Sequence, residues 1–299
     1  LCFNADGEAF MNPGLLLASL EYADALRKAD DQIILALVSN ATLITQEYAR
    51  KLSSLGVHVT VSIDGPEQVH NRHRVTADGR PSFTQVSRGI ENLRKAGIPL
   101  SFRAVVTPET SDNMSQTYDF LRTLDPVRPV KLRPVRGSDN PRYNPAWVRR
   151  FSSDFTQMVD DVFRSIADIS DLPDDAQYFA RYLSEGRQRG AYCSSGEGML
   201  WIMPDGSITP CGILTDGFIC GHIDDIHSSE ELVGLLSSQA SKYIRDHSPA
   251  MREPCSDCQW LPACGGGCPA VALSGKPPLC DFYLTLGESI RQQMGEKRG

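Results

Sequence analysis

Five cysteines crowd residues 254–280, which read PCSDCQWLPACGGGCPAVALSGKPPLC. They follow the spacing CxxC, then Cx5C, then Cx3C and a longer gap, and they are Cys255, Cys258, Cys264, Cys268 and Cys280. A CxxC pair places two thiolates close enough to bind one metal ion or cluster. The glycines at 265–267 permit a tight backbone turn, so Cys264 and Cys268 can point to different places. We therefore predict that this segment binds metal.

Further cysteines lie upstream of this segment. Cys193 and Cys211 flank a predicted β-hairpin whose turn is Pro204-Asp205-Gly206. Cys220 stands in FICGHI, where an apolar strand residue would fit, and Cys2 is predicted to be a small core residue. Because CxxC pairs also build zinc ribbons, a pair of zinc sites is the alternative, although every ligand would be a thiolate.

The composition is that of an ordinary globular protein, with 41% hydrophobic and 22% charged residues among 299. A net charge of −7 without a Lys/Arg block argues against a nucleic-acid surface. No apolar run is long enough to span a bilayer, and residues 1–20 lack the pattern of a secretory signal. Nine cysteines, clustered late in the chain, fit thiolate ligands in a reducing cytosol. We expect a cytoplasmic protein with no nucleic-acid or membrane partner.

The elements that must position these residues alternate between strands and amphipathic helices in the first half of the chain. The predicted strands are residues 1–3, 33–38, 57–63, 100–106 and 130–135. This order indicates a β/α barrel or a doubly wound sheet. In β/α barrels the strand ends build the active site, and the unusual residues at the predicted strand ends include Gly7, Glu8, Asn40, Ser62 and Asp64.

The sequence changes character twice further along. Residues 144–189 are predicted to be helical, with a bridging helix near Ala176–Leu183. From Gly190 onward a hairpin, a strand at 218–223 and a closing helix at Phe282–Met294 form a second, cysteine-rich domain. We therefore predict three parts, which are residues 1–150, 151–189 and 190–299.

Seven of the cysteines follow the pattern CX12GX4C, a gap, CX2CX5CX3C, a gap and C, with Gly206 as the glycine. This pattern, with LPACGGGCP at residues 261–269, resembles the SPASM domain of radical S-adenosylmethionine (SAM) enzymes. The resemblance implies two auxiliary four-iron, four-sulfur (4Fe–4S) clusters. The second would be held by Cys255, Cys258, Cys264 and Cys280, and the first by Cys193, Cys211 and Cys268, with Cys220 either its fourth ligand or a packed residue.

The first half resembles the catalytic (β/α)6 barrel of the same enzymes from its second strand onward. FNADGEAF at residues 3–10 partly matches the GGEP motif, which contacts the methionine amino group, and keeps its glycine and glutamate. SIDGP at 62–66 matches SxDGP, whose polar residues lie near the cofactor ribose and carboxylate, and HNRHR at 70–74 resembles HDxxR. Arg74 is then the candidate for the methionine carboxylate. The implied SAM-binding residues are Gly7, Glu8, Asn40, Ser62, Asp64 and Arg74.

The sequence contains no CxxxCxxC, the motif that holds the catalytic cluster in this family. The chain also begins without methionine inside a predicted strand, and a β–α unit takes about 30 residues or more. We therefore expect the first strand and the cluster loop to precede Leu1; the alternative is a degenerate barrel that has lost radical chemistry. The expected fold is a partial (β/α)6 radical SAM barrel starting at strand 2, followed by a small α+β SPASM domain.

The resemblance implies an oxidoreductase that, as an intact protein, modifies a peptide or protein by hydrogen abstraction with a 5′-deoxyadenosyl radical. SAM and a third, catalytic 4Fe–4S cluster would generate the radical, and flavodoxin or ferredoxin would be the reductant. Gly212 follows Cys211 where the sulfatase-maturing branch has an aspartate base, so we favour a ribosomal-peptide maturase. The alternatives are a non-catalytic cluster protein for electron transfer or partner binding, and a zinc-stabilised binding module.

Overall fold

The computed structural model describes residues 1–4, 7–27, 33–125, 128–135, 142–166, 168–215, 217–248, 251, 253–273 and 279–298. The chain divides into two compact units, Leu1–Pro134 and Val135–Gly299. No helix in the described ranges is long and apolar enough to cross a membrane.

The first unit is a parallel sheet with helices between its strands. Its described elements are, in chain order, β1 (Cys2–Phe3), α1 (Pro13–Leu26), β2 (Ala36–Ser39), α2 (Gln46–Ser54), β3 (His58–Ser62), α3 (Glu67–His70), α4 (Phe83–Lys95), β4 (Leu100–Val106), α5 (Met114–Leu124) and β5 (Lys131–Pro134). The five strands lie side by side in sequence order, and each neighbouring pair is parallel. The predicted α/β architecture is therefore confirmed.

A strand is predicted best where its side chains alternate between the two faces of the sheet. In β4 the residues from Leu100 to Val106 alternate between buried and half-buried, as a strand with one apolar face must. The prediction for β2 is wrong at its start, because Ile33 and Ile34 are 37% and 62% exposed and the strand begins at Ala36. An apolar run without alternation gives no signal for the residue at which pairing starts.

The helices of this unit are also specified locally. The Thr45 side chain accepts a hydrogen bond from Tyr48 N and caps α2. Helix α4 buries Val86, Ile90 and Leu93, whose spacing of three and four residues places them on one face. Helix α4 therefore presents an apolar stripe that packs in the core of this unit.

The second unit combines helices with a small antiparallel sheet. Its described elements are, in chain order, α6 (Pro145–Ser165), α7 (Asp174–Glu185), β6 (Trp201–Ile202), β7 (Ser207–Thr209), β8 (Gly221–His222), α8 (Ser229–Gly234), α9 (Gln239–Asp246), α10 (Leu261–Cys264), α11 (Pro269–Leu273) and α12 (Cys280–Arg298). Strand β7 lies between β6 and β8. The predicted hairpin and closing helix are present, and the strand predicted at 218–223 is reduced to β8.

Aromatic packing joins α6 to α12. The ring of Phe282 lies 5.2 Å from that of Phe151 and 5.1 Å from that of Phe155, and all three are buried. Aromatic pairs at such distances stabilise a core beyond the area that they bury. Helices α6 and α7 therefore group with the cysteine-rich half, whereas the sequence division set them apart.

The connection from α7 to the cysteines is fixed by one arginine. The Arg189 guanidinium lies 4.2 Å from the ring centroid of Tyr178 and 4.6 Å from that of Tyr192. It also forms an ion pair with Asp175 at 3.4 Å, in which both side chains are almost fully buried. This stacked and paired guanidinium anchors the segment that leads to Cys193.

Candidate functional site

Polar groups meet at the carboxyl ends of β1 and β2. Glu8 Oε1 accepts hydrogen bonds from Ser39 Oγ at 2.7 Å and Phe10 N at 3.2 Å, and its Oε2 accepts one from Asn40 N at 2.6 Å. Neighbouring parallel strands end at the same edge of a sheet, so Glu8 and Asn40 come together although they are far apart in sequence. The carboxylate has acceptor sites to spare for an ammonium group.

The turn after β2 is tightly constrained. Asn40 Oδ1 accepts hydrogen bonds from Thr42 N at 2.9 Å and Thr42 Oγ1 at 2.7 Å. Between them Ala41 is fully buried and has a φ of 60°, a left-handed conformation that costs free energy for any residue with a Cβ. The surrounding packing therefore holds Asn40 in place, a feature that the sequence did not reveal.

Asp64, after β3, is the centre of a hydrogen-bond network. Its side chain is 0% exposed. Oδ2 accepts from His73 Nε2 at 2.7 Å and from Arg74 Nε, and Oδ1 accepts from Val105 N at 2.8 Å. Burial pushes the pKa of Asp64 up, but these donors outweigh it and lower the pKa overall. Asp64 is thus an ionised anchor for His73 and Arg74.

His70 fixes the backbone of this anchor. Its Nδ1 accepts a hydrogen bond from Asp64 N at 3.2 Å, so Nε2 carries the proton and faces Ser82 Oγ at 3.1 Å. Ser82 Oγ in turn donates to the carbonyl of Arg74 at 2.8 Å. Burial lowers the pKa of His70 to about 4, so this histidine is neutral near neutral pH.

The other predicted residues of this unit differ in environment. Ser62 is buried, and its Oγ accepts a hydrogen bond from Arg103 Nε at 3.2 Å. Gly7 is exposed, and a Cβ there would meet no atom within 4 Å, while Asp6 lies outside the described residues. Arg103 lies in no motif, and His73 falls on an unspecified position of HDxxR, so the sequence pattern singles out neither residue.

A cavity of about 340 Å³ in the second unit is lined by all five cysteines of residues 254–280. Burial, together with the nearby Cys258, Cys255 and Cys280, raises the pKa of the Cys264 thiol to about 11, against the opposing effect of one hydrogen bond from Gly266 N. These four thiols therefore lie near one another, as the resemblance implies for the second auxiliary cluster. A cavity of this size fits a multi-atom cluster better than a single zinc ion.

No group of three or more His, Cys, Asp or Glu side chains in the described ranges is arranged tightly enough for one metal ion. Zinc holds its thiolates about 2.3 Å from a single centre. Bridging sulfides in a cluster let each thiolate bind its own iron, so the ligands stand farther apart. The donor set around the cavity, five thiols and no histidine, fits a cluster.

The remaining cysteines form a looser arrangement. Cys211 is buried in an apolar cluster with Ile244 and Ala270, against which Cys268 packs, so two of the three implied ligands of the first auxiliary cluster are neighbours. Cys220 Sγ donates to the Ile208 carbonyl at 3.3 Å, a contact that also suits a packed residue. Cys2 is exposed because β1 lies at the sheet edge, so its predicted core role is wrong.

The structure explains why the seven-cysteine pattern has a glycine at residue 206. Gly206 has a φ of 87°, and a Cβ there would lie 2.6 Å from Nε2 of His222. His222 Nε2 is also 2.8 Å from the carbonyl of Asp205. The histidine thus occupies the space above the hairpin turn, and only glycine fits below it.

Residues 3–121 match the model of the Radical SAM superfamily. The chain is 26% identical over 286 residues to a cysteine-type anaerobic sulfatase-maturating enzyme of Clostridium perfringens, covering 88% of this chain and 75% of that protein. It is 26% identical to a serine-type anaerobic sulfatase-maturating enzyme of Klebsiella aerogenes, covering 92% and 69%. An AdoMet-dependent heme synthase of Methanosarcina barkeri is 24% identical, with coverage of 79% and 70%.

The fold resembles solved structures of the same kind. A structure described as native anSMEcpe with bound AdoMet and Kp18Cys peptide superposes with a TM-score of 0.76 at 18% identity, covering 100% of this chain and 85% of that one. A second, of native anSMEcpe with bound AdoMet, gives a TM-score of 0.72 at 19% identity, with coverage of 97% and 80%. Both units therefore share the fold of those proteins.

The sequence preference against a sulfatase maturase is wrong. Relatives with sulfatase-maturating names match most of the chain. The preference rested on Gly212, but a Cβ there would lie 2.6 Å from Cε3 of Trp201. The indole ring occupies the place of a side chain, so glycine at 212 has a local packing reason.

Proposed function

We propose that this protein is a radical SAM enzyme that oxidises a side chain of a peptide or protein, with maturation of a sulfatase cysteine or serine as the first candidate reaction. The observation that carries the proposal is the combination, in one chain, of a match to the Radical SAM model over residues 3–121 and a cavity lined by five cysteines. The similarity to sulfatase-maturating enzymes supports the choice of substrate.

In this proposal the strand ends of the first unit bind SAM. Glu8 accepts the methionine ammonium group, because its carboxylate is oriented by Ser39 and Asn40 and keeps acceptor sites. Arg74, held by Asp64, would bind the methionine carboxylate, while Ser62 and Asn40 would contact other polar groups of the cofactor. SAM held by these residues would supply the radical chemistry for hydrogen abstraction, with the electron coming from the reductant named below.

The cysteines of the second unit would hold auxiliary 4Fe–4S clusters. Cys255, Cys258, Cys264 and Cys280 form the better-defined ligand set, and Cys193, Cys211 and Cys268, with or without Cys220, form the other. Such clusters supply an electron acceptor when bound, and a flavodoxin- or ferredoxin-type protein in the cytoplasm would be the reductant.

The catalytic cluster does not fit the residues present, because the sequence has no CxxxCxxC. This observation keeps a second candidate, a non-catalytic cluster protein that transfers electrons or binds a partner. Reading the gene upstream of Leu1 separates the two: an in-frame CxxxCxxC supports the enzyme, and a start codon or stop codon without it supports the cluster protein. The present sequence alone, with its auxiliary clusters reconstituted, is expected to produce no 5′-deoxyadenosine.

The activity is tested on the protein expressed with its whole reading frame and reconstituted anaerobically. Incubation with SAM, dithionite and a sulfatase peptide carrying cysteine or serine is expected to yield 5′-deoxyadenosine and an aldehyde in the peptide, both detected by mass spectrometry. Glu8→Gln is expected to reduce both products at least tenfold, by loss of a charge-assisted hydrogen bond. The exposed Glu47→Gln is the matched control. Deoxyadenosine without any change in the peptide would reject the sulfatase substrate.

A further inference from the structure

His73 and Arg74 share one oxygen of a buried carboxylate. Asp64 Oδ2 accepts a hydrogen bond from His73 Nε2 at 2.7 Å and another from Arg74 Nε, while Oδ1 accepts one from Val105 N at 2.8 Å. Each oxygen of a carboxylate offers about two acceptor sites, so the two side chains fill those of Oδ2. The Asp64 side chain is fully buried, so water does not compete for either contact.

These contacts leave most of the Arg74 guanidinium unused. Arg74 donates to Asp64 through Nε, and its terminal Nη atoms have no hydrogen-bond partner in the part of the chain that the structure describes. Its side chain is 26% exposed, so part of it can contact a ligand. Two parallel N–H groups of a guanidinium match the two oxygens of a carboxylate. Arg74 is therefore fixed at Nε and keeps donors for a carboxylate from outside the chain.

His73 limits how Arg74 pairs with Asp64. An arginine–carboxylate pair is frequently bidentate, with two N–H groups of the guanidinium on the same carboxylate. Here His73 Nε2 and Val105 N occupy sites on both oxygens, and Arg74 pairs through Nε alone. Without His73, Oδ2 of Asp64 could accept an Nη–H group of Arg74 as well. The guanidinium would then turn its terminal nitrogens toward Asp64 and away from a ligand.

The position of the His73 ring also carries a cost. Its Nδ1 is buried and has no hydrogen-bond partner among the described residues. A buried polar atom without a partner costs free energy, because it gives up its hydrogen bond to water without gaining another. Departures of this kind from the usual rules of stability are expected at functional sites. The cost therefore favours a role of His73 in ligand binding over a role in stability alone.

We propose that His73 is a positioning residue, which keeps the terminal nitrogens of Arg74 available for the methionine carboxylate of SAM. This inference rests on the proposed function, in which Arg74 binds that carboxylate. His73 contacts Asp64 and acts on the cofactor only through Arg74. The effect of replacing His73 should therefore depend on whether the ligand carries a carboxylate.

The test uses the protein with its whole reading frame, reconstituted anaerobically. Equilibrium dialysis gives the Kd for SAM and for decarboxylated SAM, which lacks the carboxylate that Arg74 would bind. The variants are His73→Asn and His73→Gln, because the amide N–H of glutamine reaches as far as Nε2 of histidine and that of asparagine does not. Val86→Ala, which removes buried methyl groups from α4, is the control for a general loss of stability.

We expect His73→Asn to weaken SAM binding by about tenfold and to change the Kd for decarboxylated SAM by less than about twofold. His73→Gln should recover at least part of the affinity for SAM. Val86→Ala should lower the urea midpoint of unfolding without changing the ratio of the two Kd values. Equal losses for both ligands in His73→Asn overturn the proposal, because His73 would then support the fold and not the contact with the carboxylate. An unchanged Kd for SAM in His73→Asn overturns it as well.

A double-mutant cycle tests whether His73 acts through Arg74. In an Arg74→Gln background, His73→Asn should change the Kd for SAM by less than about twofold, because the guanidinium that His73 positions is gone. An undiminished effect of His73→Asn in this background would show that His73 reaches the cofactor by another route, and the positioning role would be wrong.

Failure of the proposed function gives a different result. A loss of affinity confined to SAM in His73→Asn, without 5′-deoxyadenosine or peptide oxidation by the wild type, would support the positioning role and reject the reaction. Peptide oxidation by the wild type, together with equal affinity of the wild type and His73→Asn for SAM, would support the reaction and reject the role of His73. A wild type that binds neither SAM nor its decarboxylated form would overturn both.

Discussion

Gly89 of α4 faces the carbonyl oxygen of Ala41 so closely that a Cβ on Gly89 would lie 2.0 Å from it. Ala41 is the left-handed residue between Asn40 and Thr42, so this contact joins a helix to the turn that positions Asn40. Because the contact is between two backbone segments, neither α4 nor the turn at Ala41 can shift easily. A glycine within a helix, which the sequence gives no reason to notice, thus determines the geometry at the end of β2.

Gly89→Ala is expected to destabilise the protein by about 1–3 kcal/mol, because the added methyl must displace the Ala41 carbonyl. Urea denaturation measures the change. Gly295→Ala is the matched control, since Gly295 is helical and a Cβ there meets nothing within 4 Å; it should stabilise α12 by up to about 1 kcal/mol. Equal effects of the two changes would contradict the close contact.

His70 predicts a pH dependence of stability. Its pKa is about 4 in the folded protein and about 6.5 when unfolded, so the unfolded state binds more protons between these values. The free energy of unfolding should therefore fall as pH drops from about 6.5 to about 4, by at most about 3 kcal/mol. Protonation would set an N–H of His70 against Asp64 N–H, which is the physical cause.

Denaturation of wild type and His70→Gln across this pH range measures that contribution. The variant should be less stable near pH 7 but lose less stability on acidification. The exposed His58→Gln should keep the wild-type slope. A slope that survives in His70→Gln would assign the acid sensitivity to other groups.

Arg189 should stabilise the second unit through geometry as well as charge. Arg189→Lys keeps the charge but loses the planar stacking on Tyr178 and Tyr192, and we expect a loss of about 1–2 kcal/mol. Arg187→Lys changes an exposed arginine two residues away and should have little effect. Thermal or urea unfolding compares the two, and similar losses would show that the stacked geometry is unimportant.

The cysteine cavity predicts metal content. Anaerobic reconstitution should give about eight irons and eight sulfides per chain for two 4Fe–4S clusters. Cys264→Ser should lower both to about four, whereas the exposed Cys2→Ser should leave them unchanged. Bound zinc without sulfide would instead support the zinc alternative.

The sequence predicted the sheet and the cysteine segment better than it predicted contacts between distant residues. Alternation from Leu100 to Val106 specifies a strand locally, and CxxC spacing brings two thiols together whatever the surrounding fold. The apolar run at Ile33 has no such periodicity, so the start of β2 was misplaced. The pairing of Asp64 with His73 and Arg74, and the position of Arg103, depend on how the chain packs in three dimensions, which no local pattern encodes.

The turn at Gly265–Gly267 links metal supply to the survival of the polypeptide. These glycines have φ values of 68°, 81° and 80°, and glycine loses more backbone entropy on ordering than any other residue. Thiolates on both sides of the turn would offset this entropic cost only when the cluster that they hold is bound. Under the proposed cluster assignment, this segment would unfold locally more often in an iron-deficient cell. Proteases would then degrade the protein before it could act.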